Sequence, residues 1–140
     1  MAQINAYVNF EGNCREAMTF YKECLRAELH MQAVGGSPIE AQFPAAMKHQ
    51  ILHASLTKDE MILMGSDMQE PGGFAKGNNI ALSLNCSSDD EIKTFFSKLS
   101  EGGRISHDLM ESFWGATFGV FTDKYGIRWM LNFDKAAEQK

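Results

Sequence analysis

The chain has 140 residues, the size of one domain with its own core, and a net charge of −5 at pH 7 with a pI near 5.3. An acidic chain of ordinary composition presents no basic surface for nucleic acid, and no apolar run reaches the roughly 20 residues needed to span a bilayer. We therefore expect a single domain, 1–140, in the cytoplasm, with neither a nucleic-acid nor a membrane partner.

The three cysteines predict neither a disulfide framework nor a zinc site, because their number is odd and no CxxC or Cys/His ligand spacing occurs. Cys24 falls on the apolar face of a predicted helix, which favours a core residue. Cys14 and Cys86 lie at strand-to-helix junctions, where a helix N-terminus can lower the pKa of a thiol.

The first segment with a clear period is 4–10, where apolar residues alternate with a polar and aromatic face that includes Tyr7. This alternation predicts a strand. After it, Asn13 is a candidate N-cap for an amphipathic helix. The apolar positions of that helix recur at helical spacing: Ala17, Phe20, Tyr21, Cys24 and Leu25.

A hairpin is predicted over 49–65, after an extended segment at 28–34 and a loop without a clear period. His49 and His53 are four residues apart, which on a helix would place both imidazoles on one face as a metal-binding pair. On a strand the same spacing separates them by about 13 Å. The hairpin interpretation favours the strand, on which the two cannot share an ion.

The chain then repeats its first half. Residues 68–78 carry Pro71 and several glycines without apolar periodicity, which is typical of a linker. A second predicted strand and helix follow, with Ser87 or Ser88 as the N-cap. Four apolar positions of this helix follow four of the first helix at a constant offset: Ile92, Phe95, Phe96 and Leu99 after Ala17, Phe20, Tyr21 and Cys24.

The C-terminal hairpin contains both tryptophans, Trp114 and Trp129. Its two alternating strands flank the sequence DKYG at 123–126, with Asp first and Gly last as in a type I turn. Gly115 and Gly119 fall inside the first of these predicted strands. Glycine in a strand indicates either a curved sheet or a strand bent into a cup, with the tryptophans near its wall.

Together these elements make a βαβββ unit that is used twice, in modules 3–67 and 79–133. The predicted fold class is α+β, with two βαβββ modules forming a curved mixed sheet and the helices outside. One such unit leaves a face of its sheet uncovered. Two units paired edge to edge would enclose a concavity, which is the usual place for a small ligand.

The doubled pattern resembles the vicinal oxygen chelate superfamily of glyoxalase I, bleomycin-resistance proteins and extradiol dioxygenases. VNFEGNCREAMTFYKECL, HASLTKDEMILMGSD and GNNIALSLNC are similar to its PhnB-like branch. The most specific segment is WGATFGVFTDKYGIRWM, where W-G-x-x-F-G, D-x-Y-G and W-M occur at the spacing of that branch. The resemblance implies the glyoxalase/bleomycin resistance/dihydroxybiphenyl dioxygenase-like fold and, since members commonly pair or swap halves, a homodimer.

Metal-using members of the superfamily place His or Glu ligands at four positions, which the resemblance carries over to Asn5 or Ala6, Met64, Asn79 and Met130. None of these is a histidine or a carboxylate. A divalent ion that polarises a substrate oxygen needs about three oxygen or imidazole ligands. The resemblance therefore implies no metal or cofactor at these positions, which argues against glyoxalase or dioxygenase activity.

His53 is the candidate catalytic residue, on the strand face that Ile51 and Ser55 share, where an imidazole can act as acid or base near neutral pH. The alternative is a neutral histidine hydrogen-bonded to a neighbouring strand. The other candidates either contact a ligand or have structural roles. They are the polar Asp67, Asn79 and Glu111, the aromatic Trp114, Phe118 and Trp129, and the methionines Met64 and Met130.

We expect a protein that binds a small organic ligand in the central cup without the usual metal triad. The alternative is a metal-dependent lyase, isomerase or dioxygenase with a relocated site around His53.

Some relatives carry a label as ubiquinone-precursor methyltransferases. Neither Gly35-Gly36 nor Gly102-Gly103 lies in the α/β context that a methyl-donor site normally requires.

Overall fold

The computed structural model describes residues 1–69 and 71–135 of the chain. The chain divides into two compact units, Met1–Ala75 and Lys76–Lys140, with the boundary inside the predicted linker 68–78. Each unit has the element order βαβββ, so the duplicated module is confirmed. Within the described ranges, no helix is long and apolar enough to cross a membrane.

The elements have the following bounds. In the first unit they are β1 (Ala6–Asn9), α1 (Cys14–Leu25), β2 (Glu28–Ala33), β3 (Ile51–Lys58) and β4 (Met61–Ser66), with short 3-10 turns at Glu40–Gln42 and Ala45–Met47 between β2 and β3. In the second unit they are β5 (Leu82–Asn85), α2 (Asp89–Leu99), β6 (Arg104–Glu111), β7 (Ala116–Thr122) and β8 (Arg128–Asp134).

Each unit forms a four-stranded mixed sheet, in the order β1-β4-β3-β2 in the first and β5-β8-β7-β6 in the second. The first strand of each unit runs parallel to the last, which requires a crossover, and the helix supplies it. Ala6 lies opposite Leu63, and Leu82 lies opposite Trp129. The sheet register therefore makes Leu63 and Trp129 equivalent positions of the repeat.

Helix α1 begins differently from the prediction. Asn13 occupies the N-cap position, but its side chain makes no cap hydrogen bond and instead accepts from the backbone N–H of Glu11. The first helical N–H, that of Cys14, donates to Asp67 Oδ1 at 2.9 Å. The cap of α1 thus comes from a residue just beyond β4, which no local sequence rule could identify.

Helix α2 begins as predicted. Ser88 Oγ accepts from the backbone N–H of Glu91, and Glu91 Oε1 accepts in return from the backbone N–H of Ser87. These bonds satisfy donors at the helix N-terminus that would otherwise be unpaired. The apolar face predicted for this helix is the one that is buried, at Ile92, Phe95, Phe96 and Leu99.

The turn between β7 and β8 is organised by Asp123. Its Oδ1 accepts from the backbone N–H groups of Tyr125 and Ile127, and its backbone carbonyl accepts from the N–H of Gly126 at 2.9 Å. Gly126 has φ +87°, a left-handed conformation that glycine adopts without steric strain. The predicted turn is confirmed, whereas Gly115 precedes β7 instead of lying inside a strand.

The carboxylate of Asp67 joins three elements of the first unit. Oδ1 accepts from the N–H of Cys14 at the start of α1, and Oδ2 accepts from the N–H of Ile51 at the start of β3 at 2.8 Å. Asp67 itself follows the last residue of β4 and is only 2% exposed. Both carboxylate oxygens therefore accept hydrogen bonds from backbone N–H groups.

We expect Asp67→Ala to lower the free energy of unfolding by about 3 kcal/mol, because it leaves two buried N–H groups without their charged acceptor. Urea unfolding followed by circular dichroism measures the change. Glu23→Ala, which removes an exposed carboxylate from α1, is the control and should stay within about 0.5 kcal/mol of the wild type. A loss below about 1 kcal/mol in Asp67→Ala would contradict this role.

Candidate functional site

One face of the first unit's sheet packs on α1. A Cβ built on Gly65 would approach Cys14 and Met18 of that helix, so Gly65, and Leu63 two residues before it, face α1. Met64 points the opposite way. We call this opposite side, turned away from α1, the open face.

A row of four side chains crosses the open face, one from each strand. Tyr7 of β1 lies opposite Met64 of β4, Met64 lies opposite Ser55 of β3, and Ser55 lies opposite His30 of β2. Residues that pair across neighbouring strands share a face of the sheet. The row therefore places a phenol, a thioether, a hydroxyl and an imidazole side by side.

His53 lies in β3, as the strand interpretation predicts, and His49 lies just before the strand. One detail of the prediction was wrong. Gln32 is opposite His53 but the next residue, Ala33, is opposite Ile51, so Leu52 forms a bulge. The extra residue turns Ile51 to the helix side, where it is fully buried, while exposed His53 stays with Ser55 on the open face.

His53 has a partner on the open face. The Tyr7 hydroxyl lies 3.3 Å from His53 Nδ1, and the two rings are 5.8 Å apart between centroids with a tilt of 42°. The contact joins β1 to β3 across β4, which separates them in the sheet. Tyr7 was not predicted as a site residue, although the alternation of the first strand placed it on the polar face.

The second unit has an equivalent row with different chemistry. Ser83, Met130, Val120 and His107 lie opposite one another in that order across its four strands. The ring of Phe118 meets that of His107 edge to face, with centroids 5.7 Å apart. Met64 and Met130 therefore occupy matching central positions, but the second row has an apolar residue where the first has Ser55.

Trp129 lies on the opposite side of its sheet, against α2. A Cβ on Gly119 would meet Phe96 of that helix, and the sheet register puts Trp129 on the same face as Gly119. The indole is 3% exposed, stacks on Phe121 with centroids 6.4 Å apart, and donates from Nε1 to Asp123 Oδ2 at 2.8 Å. These contacts give Trp129 a place in the core of the second unit.

Trp114 is in the turn between β6 and β7. Ser112 Oγ bonds both the N–H and the carbonyl of Ala116, and the backbone N–H of Ser112 donates to the same carbonyl. The turn displays Phe113, 98% exposed, and Trp114, 58% exposed, with their rings edge to face. The two tryptophans that the sequence grouped together therefore have different surroundings.

The predicted polar residues are dispersed. Asp67 is buried and bonded to the backbone, as described above. Asn79 is exposed in the bend before β5, and Glu111 forms an exposed ion pair with Lys135 at 2.8 Å. Across residues 1–69 and 71–135, no group of three His, Cys, Asp or Glu side chains is arranged to hold a metal ion.

Cys14 and Cys86 are buried, and both thiols are held in the protonated form. Burial raises the pKa of Cys14 to about 12, and the nearby Asp67 carboxylate adds to the effect. Burial also raises the pKa of Cys86 to about 12, assisted by Glu91. Desolvation of the thiolate therefore outweighs any stabilisation by the helix N-termini.

The two βαβββ modules with mixed four-stranded sheets define a glyoxalase-like fold. A glyoxalase/bleomycin resistance protein/dioxygenase family enzyme from Burkholderia phytofirmans shares it, with a TM-score of 0.62 over 92% of this chain and 97% of that one, at 10% identity. That identity supports the fold alone.

The family described as 3-demethylubiquinone-9 3-methyltransferase matches residues 2–132, and the chain belongs to this PhnB-like family. Protein YjdN of Escherichia coli is 33% identical over 141 residues, covering 94% of this chain and 95% of YjdN. The crystal structure of protein PA1353 from Pseudomonas aeruginosa has a TM-score of 0.82 at 39% identity, covering 96% of this chain and 98% of that one. A Bacillus cereus PhnB protein, a putative 3-demethylubiquinone-9 3-methyltransferase, has a TM-score of 0.73 at 26% identity over 94% and 99%.

Replacing each tryptophan by phenylalanine separates the two roles. We expect Trp129→Phe to lower the free energy of unfolding by about 2 to 3 kcal/mol, since it removes a buried hydrogen bond to a carboxylate. Trp114→Phe is the matched control, and its effect should stay within about 0.5 kcal/mol because that ring is exposed. Equal losses in urea unfolding would contradict the assignment of Trp129 to the core.

We expect the thiols of Cys14 and Cys86 to react with Ellman's reagent far more slowly in the native protein than in urea. At about pH 8 roughly one in ten thousand of these thiols is ionised in the fold, and the thiolate is the reactive form. Ser97→Cys adds a thiol on the exposed side of α2 as a positive control. Native Cys14 or Cys86 reacting as fast as that control would contradict the raised pKa values.

Proposed function

We propose that this PhnB-like protein binds a small organic ligand on the open face, without the metal triad of the wider superfamily. The observation that carries the proposal is the pair formed by Tyr7 and His53. Both are exposed on the side of the sheet that α1 does not cover. Exposed polar and aromatic groups that converge on an uncovered face are a usual basis for ligand recognition.

The core of the first unit is held together without the Tyr7 and His53 side chains. In the described part of the chain, every buried side-chain nitrogen and oxygen already has a hydrogen-bond partner. The sheet is joined by its backbone, α1 packs on its other face, and Asp67 fixes the element ends. Tyr7 and His53 can therefore serve a ligand without disturbing the core.

The name of the family suggests methyl transfer, and the glycine turns argue against it here. Gly35-Gly36 leads from β2 into a loop with 3-10 turns, and Gly102-Gly103 lies between α2 and β6. A glycine-rich nucleotide-type site lies between a strand and the N-terminus of a following α-helix in a parallel sheet. Neither pair of glycines has that setting, so ligand binding is the function we propose.

A second candidate is a metal-dependent lyase, isomerase or dioxygenase with its site around His53. His30 is opposite Ser55 and His53 is opposite Gln32, so the two histidines are diagonal neighbours on the open face. Diagonal positions bring long side chains within reach of each other. Two imidazoles placed this way favour a borderline cation such as zinc, with further ligands from water or substrate.

The test of the first candidate is a thermal-shift screen against small aromatic and oxo-acid compounds. A compound present at about 100 times its Kd should stabilise the protein by about 2.7 kcal/mol, which raises the melting temperature by several degrees. We expect His53→Ala to abolish the rise. His49→Ala is the matched control, since His49 lies before β3 and outside the sheet.

Elemental analysis of the purified protein tests the second candidate. A stoichiometric divalent ion that is lost in His53→Ala and retained in His49→Ala would favour the enzyme over the binding protein. Melting temperatures that no compound raises, or that rise equally in wild type and His53→Ala, would contradict binding at this pair.

A further inference from the structure

We infer that Tyr7 donates its hydroxyl proton to His53 Nδ1, so that His53 presents Nε2–H to the ligand, and that the ligand is a small organic acid. The inference rests on the proposed function and deepens it by naming the chemical class of ligand. Tyr7 is then a positioning residue, because it acts on the ligand through the imidazole.

One proton lies between the rings of Tyr7 and His53. A neutral imidazole carries one donor and one acceptor nitrogen, and the partner of one nitrogen decides which tautomer the other presents. Tyr7 Oη lies 3.3 Å from Nδ1. The imidazole nitrogen is a much stronger base than the phenol oxygen, so the favoured arrangement has the phenol proton directed to Nδ1. The remaining proton of the imidazole is then on Nε2.

His53 has two polar neighbours on the open face, Gln32 and Ser55. Gln32 is directly opposite, and its amide nitrogen donates to the carbonyl of Ala33 at 2.9 Å, which orients the amide. Ser55 lies two residues along β3 on the same face and contributes a hydroxyl. Gln32 and Ser55 therefore share the open face with His53, and the Nε2–H donor favours a ligand atom that accepts hydrogen bonds.

The strands around His53 carry little negative charge. Among the described strand residues of this sheet, Glu28 is the one carboxylate. It lies opposite Thr57, four residues along β3 from His53 and therefore about 13 Å away. The Asp67 carboxylate is buried and occupied by two backbone N–H groups. Within the described strands of this sheet, an anion at His53 therefore has no free carboxylate close enough to repel it, and a cation there has no free carboxylate to pair with it.

Imidazole NMR measures the tautomer directly. Long-range ¹H–¹⁵N spectra at about pH 8, where an ordinary histidine is neutral, distinguish a protonated Nε2 from a protonated Nδ1. His53→Ala identifies the His53 signal among the four histidines of the chain. We expect the Nε2–H form in the wild type and a mixture of both forms in Tyr7→Phe, which removes only the hydroxyl. A protonated Nδ1 in the wild type would overturn the inference.

Binding of three probes that share one ring measures the ligand class. Benzoate, benzyl alcohol and benzylamine are titrated into ¹⁵N-labelled protein, and the amide signals of β3 report binding. We expect benzoate to bind at least about tenfold more tightly than benzylamine or benzyl alcohol, since charge-assisted hydrogen bonds are about twice as strong as neutral ones. His53→Ala should remove that preference, and Tyr7→Phe should reduce it several-fold with little change in melting temperature.

The outcomes separate the inference from the function on which it rests. If benzyl alcohol or benzylamine matches benzoate and His53→Ala weakens all of them, ligand binding at this pair stands and the preference for an acid is overturned. If none of the three shifts any signal of the open face, the proposed function and the inference both fail. A benzoate preference that persists in His53→Ala would also overturn the inference, because the anion would then be held elsewhere.

Discussion

The arrangement of the first unit depends on the buried carboxylate of Asp67. It holds the first N–H of α1 and the first N–H of β3 from a position at the end of β4. The ends of one helix and two strands are thereby fixed relative to one another by charge-assisted hydrogen bonds, which are stronger than neutral ones. Tyr7 of β1 and His53 of β3 contact each other across β4, because β1 and β3 lie on either side of β4 in the sheet.

The second unit reaches the same architecture by different local means. Its helix begins with a local signal, since the N–H of Glu91 donates to Ser88 Oγ and Glu91 Oε1 accepts from the N–H of Ser87. Its buried carboxylate, Asp123, sits in the turn between β7 and β8 and binds the indole of Trp129. The two copies of the module therefore share strand order and register. Their buried carboxylates, Asp67 and Asp123, lie at different positions of the repeat. The copies also differ on the faces turned away from their helices, since the first carries the tyrosine and histidine pair and the second has Ser83 at the position that matches Tyr7.

The sequence predicted what depends on short-range patterns. Alternation in the strands, the apolar stripe of α2 and the Asp-to-Gly turn at 123–126 led to the fold, because neighbouring residues determine these features. It did not predict the cap of α1, whose acceptor is 53 positions along the chain from Cys14. Nor did it predict the bulge at Leu52, or which face of the last strand meets α2. A period of two assigns residues to opposite faces, but only tertiary packing decides which of those faces is buried, and this is why Trp129 was grouped with Trp114.

The contrast between the two indoles has a spectroscopic consequence. Trp129 is buried with its N–H bonded to a carboxylate, whereas Trp114 is exposed to solvent in the turn between β6 and β7. Indole emission moves to longer wavelength as its surroundings become more polar, and soluble quenchers such as iodide reach only accessible rings. The tryptophan fluorescence of the protein is therefore a sum of two separable components, one at shorter wavelength and shielded, the other at longer wavelength and quenchable. The shielded component reports on the packing around α2, and the quenchable one reports on the turn between β6 and β7.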